Sequence, residues 1–313
     1  MGRRGKKTTS RSGPLTMQQR FVRWCFRPQR LVPAALLATL ALFWPQLMKK
    51  LPALESREEY QVTLDRITVT PAPRWVPEDL VEDVLHRVGL DAPLSLQEPT
   101  LSERIAAAFV THPWIEEVHR VKKSYPARVH VELTYRRPVA IVRGMDGAYP
   151  VDALGVVLPG NDFRQSDVSR YPVIEKVTSI PQAGQGQPWG DSAVTGAAQL
   201  ASLLMEPIDS GRSRWEAWGL TAIEAPSTLG LPGETPDMTF VLRTTGGSTV
   251  IWGREPDSIH PGEFTVEQKL ERMAEYHLAH GSFDDAPEPY EFDLRPWNGI
   301  GRRLATGSTA VRR

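Results

Sequence analysis

The side chains able to do chemistry are few and scattered. Seven histidines are spread over 313 residues, and the tightest pair in the second half, His277 and His280, stands three apart with no carboxylate arrangement that completes a metal motif. Asp284, Asp285 and Glu288 offer oxygen ligands of the type that hard cations take, but the cluster reads as a solvated turn. His112, just before Pro113, reads as a helix-end residue. The one cysteine, Cys25, can form no internal disulfide, and it leaves the rest of the chain thiol-free, which suits an oxidising compartment. No G-x-S-x-G, P-loop or Rossmann fingerprint occurs, so neither an activated nucleophile nor a phosphate cradle has a foothold. The chain is expected to catalyse nothing and to hold no metal and no cofactor.

The charge pattern says more about placement. Lys and Arg total 37, as do Asp and Glu, but nine of the basic residues fall within the first 30 positions, which hold no acid. The chain is a short basic tail on a mildly acidic body. Between them, Leu31 to Met48 is an uncharged run of 18 residues bounded by Arg30 and by Lys49 and Lys50. As a helix it would reach ~27 Å, enough to cross a hydrocarbon core once. Pro33 and Pro45 sit near its ends, and Trp24, Phe26, Phe43 and Trp44 fall where headgroups would lie. An uncleaved anchor is the reading preferred here. A cleaved signal peptide competes with it, but no small-residue cleavage site follows and two lysines stand in its place. Positive charge holds the tail in the cytoplasm and sends residues from about 50 onward outside. The tail has no recognisable nucleic-acid fold, so it is read as a topology determinant, and no nucleic acid is expected as a partner.

The body shows its elements through periodicity. Tyr60, Val62 and Leu64 alternate with polar residues, as do Ile67 and Val69, with a slip at Asp65-Arg66 that marks a bulge or two short strands. Pro77 opens a helix whose stripe of Leu80, Val81, Val84, Leu85 and Val88 stops at Gly89. A second helix starts at Thr100, whose spacing to Glu103 fits a capping box, and ends before Pro113. An irregular strand through Ile115, Val118 and Val121 follows, then a turn at Ser124-Tyr125-Pro126 and a strictly alternating strand through Val129, Val131, Leu133 and Tyr135. Later, Phe240 to Leu242 and Thr249 to Trp252 flank Gly246-Gly247 as a hairpin that Gly253 ends. Val266, Leu270, Met273, Ala274, His277 and Leu278 form an amphipathic helix, while 179–189 and 225–237 are Pro- and Gly-rich loops.

The order strand, helix, helix, strand, strand resembles a POTRA domain, and specifically that of the FtsQ/DivIB family of cell-division proteins. The residues that carry the resemblance are His112-Pro113-Trp114-Ile115, Val118, Val121, Pro126 and Arg136-Arg137-Pro138-Val139-Ala140. Tyr149-Pro150-Val151-Asp152 with Gly155 and Val157-Leu158 is similar to the family's short hairpin, and Glu291 to Arg295 to its late Asp-Leu-Arg strand. Tyr135 departs from the glutamate that relatives usually carry, and Pro296-Trp297 is an unusual sequel to that late strand.

The resemblance implies an α+β chain: a basic cytoplasmic tail over 1–30, a single transmembrane helix over 31–48, a connector over 49–61, a β-α-α-β-β POTRA domain over 62–137, a mixed β-rich domain with two or three helices over 138–300, and a flexible tail over 301–313. It implies an inner-membrane division scaffold with its bulk in the periplasm, binding bitopic coiled-coil proteins of the FtsB and FtsL kind. The implied docking edge follows the late strand and comprises Arg295, Pro296, Trp297, Asn298, Gly299, Gly301 and Arg302. Pro296 would remove one backbone donor from it. Two other classes compete. A POTRA protein of an outer-membrane assembly or secretion system would need a following barrel of alternating strands. An anchored enzyme or ligand-binding protein would show a deep pocket with convergent polar groups.

Overall fold

The computed structural model describes residues 57–90, 92–163, 169–208, 211–227 and 238–305, together with Leu37, Thr39, Leu40, Leu42, Phe43 and Trp44. The chain divides into two units, Met1–Arg57 and Glu58–Arg313. Those six positions of the first unit are helical, and Leu37, Leu40, Leu42, Phe43 and Trp44 expose their apolar side chains. Among the described residues no helix is long and apolar enough to cross a membrane. The expected span over 31–48, apart from these positions, and the basic tail lie outside the described residues.

The second unit is a mixed α+β structure. It opens earlier than the expected connector allows, with a 3-10 turn over Glu58–Tyr60 and strand β1 (Gln61–Val62). A second 3-10 turn over Leu64–Arg66 separates β1 from β2 (Ile67–Val69), so the slip in the alternation marks two short strands. Then come α1 (Leu80–Arg87), β3 (Leu94–Ser95), α2 (Leu101–Val110), β4 (Ile115–Ser124) and β5 (Arg128–Tyr135). β1 and β3 pair as a two-residue ribbon. The main sheet runs β2-β5-β4, with β2 parallel to β5 and β4 antiparallel to it.

Both helices cover one face of this sheet. Leu80, Val84 and Leu85 of α1 and Leu101, Ile105, Ala108 and Phe109 of α2 share a core with Val129, Val131, Leu133 and Tyr135, the inward set of β5. Each such aliphatic side chain contributes about 1.5–3 kcal/mol on burial. β4 explains its odd apolar period. Its register against β5 shifts between Ile115 and Glu117 and again between Val118 and Arg120, and each bulge turns a spacing of three back onto the same face.

Two helix starts differ from expectation. α1 begins at Leu80, three residues after Pro77. Thr100 makes no capping box: its backbone is already helical, at φ −88° and ψ −1°, where an N-cap is extended. Its hydroxyl instead donates to Glu98 Oε1 at 3.0 Å, and Arg104 donates to the same oxygen at 2.6 Å.

The rest of the unit is one eight-stranded sheet. Its elements are β6 (Ala140–Arg143), β7 (Ala148–Val151), β8 (Val173–Glu175), α3 (Ser192–Leu204), α4 (Arg214–Ala217), β9 (Leu220–Glu224), β10 (Phe240–Thr244), β11 (Thr249–Gly253), α5 (Val266–His280), β12 (Tyr290–Asp293) and β13 (Gly301–Leu304). The strand order is β13-β12-β11-β10-β9-β8-β6-β7. Pairs β6/β8, β8/β9 and β11/β12 are parallel. Parallel neighbours need crossovers, and α3 with α4 supplies one between β8 and β9, α5 another between β11 and β12. The expected hairpin forms as β10 and β11, with Gly247 at φ +88°. Leu278, assigned to the apolar stripe of α5, is 89% exposed, and Lys269 is buried in that helix instead. The expected tail from 301 onward begins as a strand, and 306–313 lie outside the described residues.

The two sheets are joined by specific contacts. Asp152 is 5% exposed, its Oδ1 accepts the amides of Leu154 and Val156, and its Oδ2 accepts Arg136 Nη1 at 2.7 Å from the end of β5. Trp114 donates through Nε1 to Asp162 at 2.7 Å and stacks on Phe163. Leu158 completes the first core.

Candidate functional site

The two ends of the eight-stranded sheet are finished differently. At one end Val157 bridges Val151, the Leu158 amide donates to Pro150 at 2.8 Å, and Pro150 itself has no amide, so β7 is covered. At the other end β13 pairs with β12 alone among the described residues. Ala305 N donates to Pro289 at 3.0 Å in line with the register Tyr290↔Leu304. Hydrogen-bonded pairs alternate along an antiparallel ladder, so Gly301, Arg303 and Ala305 bond inward while the main-chain groups of Arg302 and Leu304 face away from the sheet.

Side chains fix this edge strand from both faces. Arg302 lies over the Tyr290 ring at 3.8 Å and reaches Asp285 Oδ1 at 3.0 Å. Arg303, on the opposite face, donates to Glu291 at 2.7 Å. Leu304 is 53% exposed.

The turn leading into β13 is held by α5. That helix starts with a capping box between Thr265 and Gln268 and ends at Gly281 in the left-handed region. From its middle, Arg272 donates to the carbonyls of Leu294 at 3.0 Å, Pro296 at 2.7 Å and Trp297 at 3.2 Å. Its guanidinium also covers Phe264 at 3.9 Å, and the Trp297 ring rests on the same Phe264 at 4.6 Å. Asp293 receives Arg295 through two bonds of 2.9 Å. Burial pushes the Asp293 carboxyl up, but hydrogen bonds from the Arg295 side chain and backbone outweigh it and hold it below the usual carboxylate range.

The residues expected at the docking edge therefore divide. Arg295, Pro296, Trp297, Asn298 and Gly299 form the connector between β12 and β13, with Gly299 at φ +123° where a side chain would be strained. Gly301 and Arg302 open the edge strand. Pro296 is not in the strand, so the expected loss of a ladder donor does not occur, and all four β13 residues carry an amide. Sequence reading missed Arg303 and Leu304, since a four-residue Gly-Arg-Arg-Leu strand has no apolar alternation to detect. It also missed Arg272, which lay on the polar side of a helical stripe.

The acidic cluster serves the fold, and one of its members, Asp285, bonds to the edge strand. Among the described residues no group of three or more His, Cys, Asp or Glu side chains could hold a metal ion. Asp284 accepts from Thr244 at 2.6 Å and from the Gly246 amide at 2.8 Å, so it ties the β10–β11 turn, and Asp285 serves Arg302.

No family model matches the chain. Over 176 residues, 55% of its length, it is 30% identical to the cell division protein FtsQ of Anaeromyxobacter sp. (strain K). The chain is similar to FtsQ. It spans about half the length of that curated relative, 49%. The match supports the resemblance to the FtsQ family.

Proposed function

We propose that this protein is a bitopic inner-membrane scaffold of cell division, which binds other division proteins through its extracytoplasmic part and catalyses no reaction. The uncharged run over 31–48 anchors it once, and the basic tail stays in the cytoplasm. The β2-β5-β4 sheet with α1 and α2 on one face is the POTRA module. The observation that carries the reading is the asymmetry of the larger sheet, whose one end is covered while the other offers the outward main-chain groups of Arg302 and Leu304. An extended segment of a small bitopic coiled-coil protein of the FtsB kind adds there as a further strand, with main-chain bonds supplying affinity. The relative's role in cell division supports the same assignment.

Depletion in the native bacterium, followed by imaging, tests it. Cells should elongate without dividing and recover with the wild-type chain. Arg302→Pro and Leu304→Pro remove an outward amide each while sparing the main-chain bonds to β12. Leu304→Pro also leaves the Arg302 contacts with Tyr290 and Asp285 in place, so it should be made and folded, and both variants should fail to rescue and fail to co-purify a small bitopic protein. Normal division under full depletion would contradict the proposal.

A further inference from the structure

The junction between the two sheets carries a second surface with a different chemistry. A cleft of about 490 Å³ opens between the segment before α1 and the segment before β8, and a second of about 360 Å³ continues it towards α3. Trp75, Arg170 and Tyr171 line both, so the two form one groove. Phe163 and Arg74 stand at one end and Arg137 at the other. The aromatic walls are fixed: Trp75 donates through Nε1 to the Arg136 carbonyl at 3.1 Å, and Phe163 is packed between Trp114 and Tyr171 at 5.8 and 6.0 Å.

Three features give the groove a ligand preference. Arg74, Arg137 and Arg170 are exposed, and none of them has a hydrogen-bond or ion-pair partner among the described residues. The two carboxylates on the walls already accept from the protein, Asp162 from Trp114 and Glu216 from the Ser213 amide at 3.3 Å. Among the described lining residues three guanidinium groups therefore face two carboxylates, each already held by one protein donor, and the excess positive charge favours a partner that brings carboxylates. Finally, rigid aromatic walls beside arginines are the composition of interface hot spots, where one apolar anchor fills a pocket and charge fixes its orientation.

We infer that this groove docks an acidic peptide segment of another protein, with an aromatic or aliphatic anchor against Trp75 and Tyr171 and flanking carboxylates on Arg74, Arg137 and Arg170. The inference does not depend on the division role or on β13. Two adjoining clefts can take an extended chain, and each is large enough for an anchoring side chain.

The test is selection from phage-displayed random dodecapeptides on the immobilised full-length chain, followed by anisotropy titration of the winners as labelled synthetic peptides. Winners should carry at least two Asp or Glu beside a Trp, Phe or Leu. Arg137→Glu and Arg170→Glu should each weaken them about tenfold or more, while Arg303→Glu and the β13 variant Arg302→Pro should leave them unchanged. Circular dichroism and thermal unfolding of each variant separate lost contacts from lost fold. The inference is overturned if no acidic family is enriched over the starting library, or if winners keep their affinity on folded Arg137→Glu and Arg170→Glu. It is also overturned if a heparin oligosaccharide displaces them at equal concentration, because bare attraction for polyanions would then suffice.

Discussion

Arg272 shows how one side chain can set the shape of the segment that leads into an edge strand. It satisfies three carbonyls of the chain between β12 and β13, which no strand or helix serves. Hydrogen bonds to charged groups are worth about 1.5–3 kcal/mol each when made, with less than additive loss. Arg272→Met should therefore lower stability by about 2 kcal/mol in urea unfolding, with the fastest new amide exchange at 294–300. His112 gives a second prediction. Burial pushes its imidazole down, outweighing the Asp83 hydrogen bond that pulls it up. Its Nδ1 accepts the Trp114 amide, so Nε2 carries the proton shared with Asp83 at 3.0 Å. The folded chain thus binds fewer protons than the unfolded one between the folded value and about 6.5. Stability from this group is complete above about pH 6.5 and falls as pH drops towards the folded value, by at most ~1.4 kcal/mol per pH unit. His112→Asn should flatten that part of the urea-midpoint profile, and an unchanged slope would remove His112 as its source. The sequence showed His112 at a helix end, but its partner Asp83 is 29 residues away and no local pattern pairs them.

Elements were legible where one face alone is buried. α1, β5 and the β10–β11 hairpin carried a clean period, and the bulges of β4 preserved apolar order in a form still readable as a strand. α3 was not legible in this way: its polar stripe, Ser192, Thr195, Gln199 and Ser202, is narrow and uncharged against a wide buried face of Ala193, Val194, Ala197, Ala198, Leu200, Ala201 and Leu204. β8 and β9 are short and interior, and short apolar runs give no period to count. Gly196 within α3 is the point where that helix closes on the sheet: an added Cβ would lie 2.7 Å from Phe240 Cζ and 2.9 Å from Glu255 Cβ. Alanine favours a helix over glycine by about 1 kcal/mol, yet the clash with a fully buried Phe240 should win. Gly196→Ala is expected to destabilise by about 1–3 kcal/mol in thermal or urea unfolding, and a gain in stability would show that Phe240 can move aside.

At the scale of the molecule, two sheets are locked at one junction, and among the described residues one end of the larger sheet is left open. The junction rests on the Arg136–Asp152 pair, whose side chains are 15% and 7% exposed, and on Trp114 with Asp162. Sequence motifs placed both Arg136 and Asp152 but could not pair them, because the contact depends on how the second sheet turns back on the first. The same holds for the open edge strand: the late Asp-Leu-Arg segment marked the strand beside it, but which residues face outward depends on the β12–β13 register. The most direct test of the account is amide exchange at single-residue resolution on the full-length chain, free and in complex with a co-purified bitopic partner. Strand addition predicts that Arg302 and Leu304 exchange fast in the free chain and become protected in the complex, while Arg303, already bonded to β12, changes little. A complex that leaves Arg302 and Leu304 as fast as in the free chain would contradict it.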